Sequence, residues 1–493
     1  MVTFHRQGLP MPSLPRLVLA ASLAAALQAC AVGPDYKKPP AIDPATGFHS
    51  AATASIRTAQ SADATRWWNS FGDPTLAALV ERAMQANLDL ARAEARILQA
   101  RAGVTSATAS LAPNGAIDAS GSRAKQSLET PLGRVLDSSP DFDRYGNLYE
   151  GDVSVGWDID IFGGRRRERE SALASYQAAR AEGIAVRLAV QAEVARTYVT
   201  IRELQGRLAV AKDQVKTQEH LTSTIRMQFD AGVAPELQLR QTEGVLAQVS
   251  AAIPDLESSL EAAGNALDVL LGQQPGTALR ELPANAPVPT PPRVDTMDGP
   301  AGLLRRRPDI IAAERQLAAA NANIGVAVAE YYPTFSLSAL AGTATTTAGH
   351  QFTGSANQAS AMLGLHWRLF DFGHIDADIK RAKGAHAEAL ANYRLTVLHA
   401  SEEVEDSLTE LVKREAQAHI LAQGEDALTK AQTASRRAFE GGAVSIIEVL
   451  DADTRLLATR DARVRANAAA TRAAISSFRA LGGGWDVPPE KAP

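Results

Sequence analysis

The residues best placed to do chemistry in this sequence are two carboxylates near its C-terminal end. Glu448 and Asp451 are three positions apart, so on a helix both side chains lie on one face. Several such pairs around an axis would attract cations and could form a constriction. The ordinary alternative is a solvated helix face. About 210 residues upstream, at a distance that recurs throughout this chain, the matching positions are Gln238 and Gln241.

Enzyme motifs are absent from the sequence. It contains no HExxH, GxSxG, Walker or GxGxxG pattern. His374, Asp376 and Asp378 carry metal-donor atoms, but they begin a long helical segment, where Asp is favoured electrostatically. The net charge of -5 gives no basic surface for nucleic acid. We therefore predict that the protein is not an enzyme, has no cofactor or metal site and does not bind nucleic acid.

The N-terminus reads as an export signal. Residues 1–29 combine basic residues with an apolar run, Leu17 to Leu27, that is too short to span a bilayer. Cys30, the single cysteine, follows Leu-Gln-Ala, which resembles a bacterial lipoprotein cleavage box. We predict that Cys30 is acylated, with palmitate among its chains, and anchors the mature protein to a membrane. An incidental buried thiol is the alternative.

Two segment pairs alternate between apolar and polar residues with a period of two. The clearest runs from Asp152 to Ile161, and the second copy includes Trp367 and Leu369. A strand with one apolar and one acidic face fits either a soluble sandwich or a membrane barrel. Aromatic residues gather at one end of these strands, which predicts an interfacial girdle: Phe162, Tyr331, Tyr332, Phe370 and Phe372. Arg165 to Arg167 are expected at the membrane edge, near phosphate groups.

Very long helices follow the strand pairs. Arg165 to about Asp230 and His374 to about Glu440 contain no proline, and about 66 residues form a helix of roughly 100 Å. Each reaches a glycine turn and a return helix ending near Leu271 or Leu481. A further helix is predicted from Pro74 to about Leu111. These segments predict long helical hairpins, with the turn residues being Gly232, Val233, Gly441, Gly442 and Ala443.

The same elements occur twice, which indicates an internal duplication. Trp157, Phe162, Gly232 and Gly272 recur about 210 residues later as Trp367, Phe372, Gly442 and Gly482. The predicted organisation is a loosely ordered linker (30–65), repeat one (66–275), a Pro-rich connector (276–300) outside the helical bundle, repeat two (301–484) and a tail (485–493).

A barrel built from these strands requires more than one chain. After residue 30 no run of about 18 apolar residues remains, so any membrane crossing would be made by strands. Four strands cannot close a membrane barrel, and open edges are not tolerated in lipid. Two or three chains must therefore share one barrel, and the pattern alone leaves both open.

Several motifs together resemble a known family. They are Val32-Gly33-Pro34-Asp35-Tyr36, Trp67-Trp68-Asn69-Ser70-Phe71-Gly72-Asp73-Pro74, Leu304-Arg305-Arg306-Arg307-Pro308-Asp309, the AAANANIG run of Ala318 to Gly325, and Tyr332-Pro333. In this order they resemble the outer-membrane factor lipoproteins of resistance-nodulation-division efflux systems, the OprM/NodT branch of the TolC-like family.

The resemblance implies a mixed α/β membrane protein. Three chains would form a trimeric 12-stranded β-barrel, four strands per chain, continuous with a long periplasmic α-helical barrel. The function implied is an outer-membrane exit duct for passive export of small molecules, as in multidrug resistance, with a periplasmic adaptor and an inner-membrane pump as partners.

The tip residues acquire roles through the same resemblance. Glu448 and Asp451 match the family's periplasmic gate, and the two glycine turns match its adaptor contacts. Val444 stands where some members have a basic residue that ties the closed tip. The main alternative is a lipid-anchored periplasmic coiled-coil scaffold or adaptor without a pore, and a lipoprotein enzyme is the other.

Overall fold

The computed structural model describes residues 31–39, 65–284, 286–292 and 306–485. Cys30 and the predicted signal peptide lie outside these residues. The chain forms two compact units. Of the described residues, the strand unit comprises 31–38, 98–178 and 314–391, and the helical unit comprises the rest. Residues of both predicted repeats contribute to each unit.

The strand unit contains one antiparallel sheet in the order β1-β2-β3-β4. Its strands are β1 (Asn114–Lys125), β2 (Tyr145–Ile159), β3 (Thr334–Thr345) and β4 (Asn357–His366). Val153 pairs with Ile117 and with Ala341, so the predicted apolar face is continuous across strands. Ile117 is 82% exposed in the single chain. Such a face, open along a whole sheet, suits a lipid environment.

The strand ends differ from the prediction. Ile161 lies beyond the end of β2, and Trp367 and Leu369 lie beyond the end of β4. Just beyond β4, the Trp367 indole donates to the carbonyl oxygen of Tyr331 at 3.0 Å. The same bond occurs in the first copy, where Trp157 donates to the Leu111 carbonyl oxygen at 3.0 Å.

Nine α-helices are described. They are α1 (Pro74–Ala86), α2 (Leu88–Ala109), α3 (Pro131–Asp137), α4 (Gly164–Asp230), α5 (Glu236–Leu270), α6 (Ala278–Glu281), α7 (Pro308–Ala329), α8 (His374–Glu440) and α9 (Ile446–Ala480). The two proline-free spans are confirmed as helices of 67 residues each. Within the described ranges, none of the helices combines the length and apolarity that crossing a membrane would need.

The single helix predicted from Pro74 to Leu111 is wrong, because Asn87 divides it into α1 and α2. The Asn87 side chain accepts hydrogen bonds from the backbone N–H groups of Asp89 and Leu90 at 2.9 and 3.2 Å, as an N-cap does. Its amide also donates to the carbonyl oxygen of Leu270 at 2.9 Å. The break is thus fixed by a residue distant in sequence.

The helical unit has its core where α1, α4 and α9 meet. Trp67, in a 3-10 helix (Trp67–Phe71), stacks on Phe478 with ring centroids 5.6 Å apart. Asp73 caps α1 and accepts a hydrogen bond from the Tyr198 hydroxyl at 2.7 Å. Burial, followed by the bond to Asp73, raises the pKa of Tyr198 to about 12.

The Pro-rich connector was predicted to lie outside the helical bundle, and for its described part this is wrong. Thr471 of α9, fully buried, donates to the carbonyl oxygen of Pro289 at 2.7 Å. Arg202 of α4 donates to the carbonyl oxygen of Pro283 at 2.6 Å. The connector packs on the helices because its free carbonyl groups accept bonds from buried donors there.

Candidate functional site

Both glycine turns have the same backbone geometry. In the first, the N–H of Gly232 donates to the carbonyl oxygen of Phe229 and that of Val233 to Gln228, each at 2.8 Å. The second turn repeats these bonds from Gly442 to Phe439 and from Ala443 to Ala438, at 2.9 and 2.8 Å. This pair of bonds is the Schellman motif, which needs a left-handed residue. The φ angles of Gly232 and Gly442 are 73° and 69°.

The acidic pair follows the second turn directly. Glu448 and Asp451 are exposed in the first two turns of α9. Ser445 caps this helix, since its oxygen accepts the N–H of Ile447 at 3.2 Å. The Ser445 hydroxyl also donates to the Glu448 carboxylate, which lowers the pKa of Glu448. Glu448 therefore stays ionised in mildly acidic solution.

Asp451 has a partner that the sequence reasoning did not identify. The Arg455 guanidinium, one turn further along α9, approaches the Asp451 carboxylate to 2.9 Å. Both side chains are largely exposed, so this ion pair contributes little stability. It does halve the formal charge that the acidic pair presents to solution.

A buried ion pair behind the acidic residues was also missed. Asp453 is 1% exposed and lies 3.0 Å from the Arg436 guanidinium of α8, and it accepts a hydrogen bond from Gln432 at 2.7 Å. The first hairpin has Arg226 and Glu243 at the matching positions, also ion-paired. An arginine and an acid thus occupy matching positions in both hairpins. This repetition is the sequence signal that could have revealed the buried ion pair.

The structure packs the end of the first hairpin against the start of α9. An apolar group, here called the tip cluster, contains Ile225, Ala234, Leu239, Ile446, Val449 and Leu450. Its members come from α4, α5, the first turn and α9, so the first hairpin supports the helix that carries Glu448. Outside the cluster, Val233 is 76% exposed and Ile447 is 55% exposed.

The predicted aromatic girdle is only partly assembled in one chain. Phe162 and Tyr332 stack with ring centroids 4.6 Å apart. Tyr331 donates from its hydroxyl to Asp376 at 2.8 Å. Phe370 and Phe372 are 87% and 102% exposed, so the described chain does not cover them. Phe372 also has a positive φ of 52°, which is uncommon for a residue other than glycine.

The segment after Cys30 is more ordered than predicted for residues 30–65. The N–H of Val32 donates to the carbonyl oxygen of Phe162 at 3.0 Å. Arg167 lies 2.7 Å from Asp35 and donates to the Val32 carbonyl oxygen at 3.2 Å. The Arg167 side chain is 6% exposed, so it serves this segment rather than a lipid phosphate. Residues 31–36 are therefore fastened to the strand unit.

The comparison with known proteins reflects the internal duplication of the chain. The family described as "Outer membrane efflux protein" matches residues 79–273 and again residues 300–483. The pyoverdine export outer membrane protein OpmQ of Pseudomonas aeruginosa is 31% identical, over 86% of this chain and 88% of its own. Nodulation protein T of Rhizobium leguminosarum bv. viciae is 30% identical, over 96% and 95%.

Solved structures agree with these relatives. The outer-membrane channel OprN superposes with a TM-score of 0.81 at 31% identity, covering 92% of this chain and all of its own. The fold class is that of the trimeric TolC-like channels, in which each chain supplies four strands to the barrel. The chain therefore belongs to the outer membrane efflux protein family and forms the outer-membrane exit duct, with a periplasmic extension, of a tripartite efflux system.

Proposed function

We propose that Glu448 and Asp451 form the periplasmic gate of this duct. Three chains would place six of these carboxylates around the channel axis, where they would attract cations and narrow the entrance. The observation that carries the proposal is their position: both are exposed at the start of α9, directly after an exposed turn. The first hairpin has neutral Gln238 and Gln241 at the matching positions, so only one hairpin per chain would supply this acidic pair.

The two turns are proposed as the contacts with a periplasmic adaptor, which in turn links the duct to an inner-membrane pump. Gly232, Val233, Gly441, Gly442 and Ala443 are all exposed. Val233 offers the adaptor an apolar side chain, and the glycines offer uncovered backbone. The same turns can reverse the chain and contact an adaptor, because the turn geometry leaves their outer surface free.

The membrane attachment is proposed to have two parts. Acyl chains on Cys30 would anchor the chain, and Phe162, Tyr331, Tyr332, Phe370 and Phe372 would line the membrane interface. The bond between Val32 and Phe162 supports this, since it holds the chain two residues after Cys30 beside a girdle residue. Phe370 and Phe372 are exposed as lipid contacts need to be.

Cargo is proposed to be selected by the pump, with passive movement of small molecules through the duct. The two relatives described above, named for pyoverdine export and for nodulation, have nearly equal identity to this chain. One channel architecture thus serves different transport tasks, which is expected if the duct itself does not select its cargo.

The test is single-channel conductance of the purified trimer in planar bilayers. The variant Glu448→Ala/Asp451→Ala is expected to open wider and to lose cation preference, because the charges at the constriction are gone. Gln238→Ala/Gln241→Ala, at the matching positions of the first hairpin, is the control and should behave as the wild type. Unchanged conductance in the acidic variant, beside an active wild type, would remove the gate.

A further inference from the structure

Two basic side chains lie on the apolar face of the sheet, at its far end. Arg123 and Lys125 are the last alternate residues of β1, and both are exposed. In register they face Asn147 and Tyr145, and by alternation they share the face of Ile117. The carboxylates Asp118, Glu150 and Asp152 lie on the opposite, polar face. The polar face would have exposed these cations to water, so their position on the apolar face requires an explanation.

The Tyr145 ring lies close to both cations, Arg123 and Lys125. The Arg123 guanidinium lies 5.8 Å from the centre of the Tyr145 ring, and the Lys125 ammonium lies 5.4 Å from it. Both distances are within cation–π range. Neither cation has a carboxylate partner among the residues that the structure describes. The nearby carboxylate of Asp143 accepts the N–H of Tyr145 at 2.9 Å. The two positive charges are therefore available to an external anion.

The level of the pair matches a membrane surface. Trp157, an aromatic of the kind enriched at membrane interfaces, lies near the helix-side end of the apolar face, and Tyr145 lies at the other end. About 12 residues at roughly 3.3 Å, tilted by about 40°, span roughly 30 Å, slightly more than the apolar band of about 25 Å in membrane barrels. A charge on a lipid-facing position is costly at mid-membrane but nearly free at the interface. Arg123 and Lys125 thus lie where lipid phosphates lie.

We propose that Arg123, Lys125 and Tyr145 form a binding site for the phosphate groups of a phosphorylated glycolipid in the outer leaflet. The apolar face below the pair would contact the acyl chains, and the two cations would bind the headgroup. The site is confined to the first repeat. Residues before the loop of the first strand pair recur about 220 rather than 210 residues later, as Pro113 does in Pro333, because this loop is about ten residues longer in the first copy. In the second repeat the positions matching Arg123 and Lys125 are therefore Thr343 and Thr345.

The experiment is a binding titration of the purified full-length trimer with bisphosphorylated lipid A in mixed micelles without divalent cations. Each basic residue near an anionic surface typically contributes about fivefold, so Arg123→Gln/Lys125→Gln should bind about 25-fold more weakly. Lys216→Gln/Lys413→Gln removes the same charge from exposed positions of α4 and α8 and should bind as the wild type does. Should the double variant not assemble, Lys125→Gln alone should lose about fivefold.

Two further arms separate the possible sources of phosphate. Lipid A without phosphate groups should bind the wild type as weakly as bisphosphorylated lipid A binds the double variant. Inorganic phosphate at equal phosphate concentration should not compete, because it lacks the acyl chains. Equal affinity of wild type and double variant, equal binding of the dephosphorylated lipid, or full competition by inorganic phosphate would each overturn the proposal.

Discussion

At the scale of single residues, the second tip combines exposed and buried acids two positions apart. Asp451 faces solution, whereas Asp453 is buried against Arg436 of the neighbouring helix. The buried pair fixes how α9 is rotated against α8, and so sets the direction of the face that carries Glu448. Asp453 is thus a candidate positioning residue for the proposed gate.

Removing the charge of Asp453 should loosen the second hairpin. Asp453→Asn would leave the Arg436 guanidinium partly buried without its counter-ion, at a cost of about 1–3 kcal/mol. Hydrogen exchange should show faster exchange of amides at the start of α9. The matched control is Glu243→Gln in the first hairpin, where the acid is more exposed and the loss should be smaller. Equal exchange in Asp453→Asn and wild type would contradict the positioning role.

The bond from Ser445 predicts a pH effect at the gate. Because the folded pKa of Glu448 is lowered, its favourable interaction is present above the ordinary value and is lost as pH falls through the lowered value. Ser445→Ala should therefore move the acid midpoint of cation selectivity upward, measured as reversal potential against pH. Ser445→Thr keeps the hydroxyl and should behave as wild type. A midpoint that does not move in Ser445→Ala would refute the assignment.

At the scale of elements, four glycines end four long helices but meet different surroundings. A Cβ on Gly442 would meet no atom within 4 Å, so only its left-handed φ requires glycine. A Cβ on Gly482 would lie 2.8 Å from the carbonyl oxygen of Arg306. A Cβ on Gly232, like one on Gly442, would meet no atom, whereas a Cβ on Gly272, like one on Gly482, would clash with backbone atoms. The exposed tips are thus conformational turns, and the inner ends are close packing contacts.

This difference predicts two sizes of destabilisation. Gly442→Ala should lose about 1–2 kcal/mol from backbone strain alone. Gly482→Ala should lose more, because backbone atoms must also move. Gly244→Ala, within α5 where a Cβ meets nothing, is the control and should be neutral or slightly stabilising. Thermal unfolding followed by circular dichroism ranks the three, and a Gly442→Ala midpoint below that of Gly482→Ala would show that the packing argument fails.

At the scale of the whole molecule, the sheet leaves β1 and β4 as edges and one apolar face uncovered. In the trimeric channel fold the edges pair between chains and the face meets lipid. The two sides of the sheet must then tolerate charge very differently. A lysine costs about 2–4 kcal/mol facing the middle of the bilayer and little when facing a water-filled lumen.

Paired lysine substitutions measure this difference. Val153→Lys, on the apolar face, should reduce the amount of heat-resistant trimer in outer-membrane fractions. Ser360→Lys lies on the polar face of β4, since its strand partner Leu340 also pairs with Ser154, and should assemble normally. Electrophoresis of unheated samples gives the readout. Normal assembly of Val153→Lys would be incompatible with lipid on that face.

The sequence by itself determined the elements that depend on local regularity. Period-two alternation marked the strands, proline-free spans marked α4 and α8, and glycines with a shared spacing marked the turns, because the residues involved are neighbours in the chain. Only the tertiary structure decided the division at Asn87, the packing of Pro289, the fastening of Val32 to Phe162 and the burial of Asp453. Each of these depends on a hydrogen bond or ion pair with a residue on another element, and local periodicity does not specify which distant group folding will bring within reach. Only for Asp453 does the sequence carry a hint, because an arginine and an acid recur at matching positions of both hairpins.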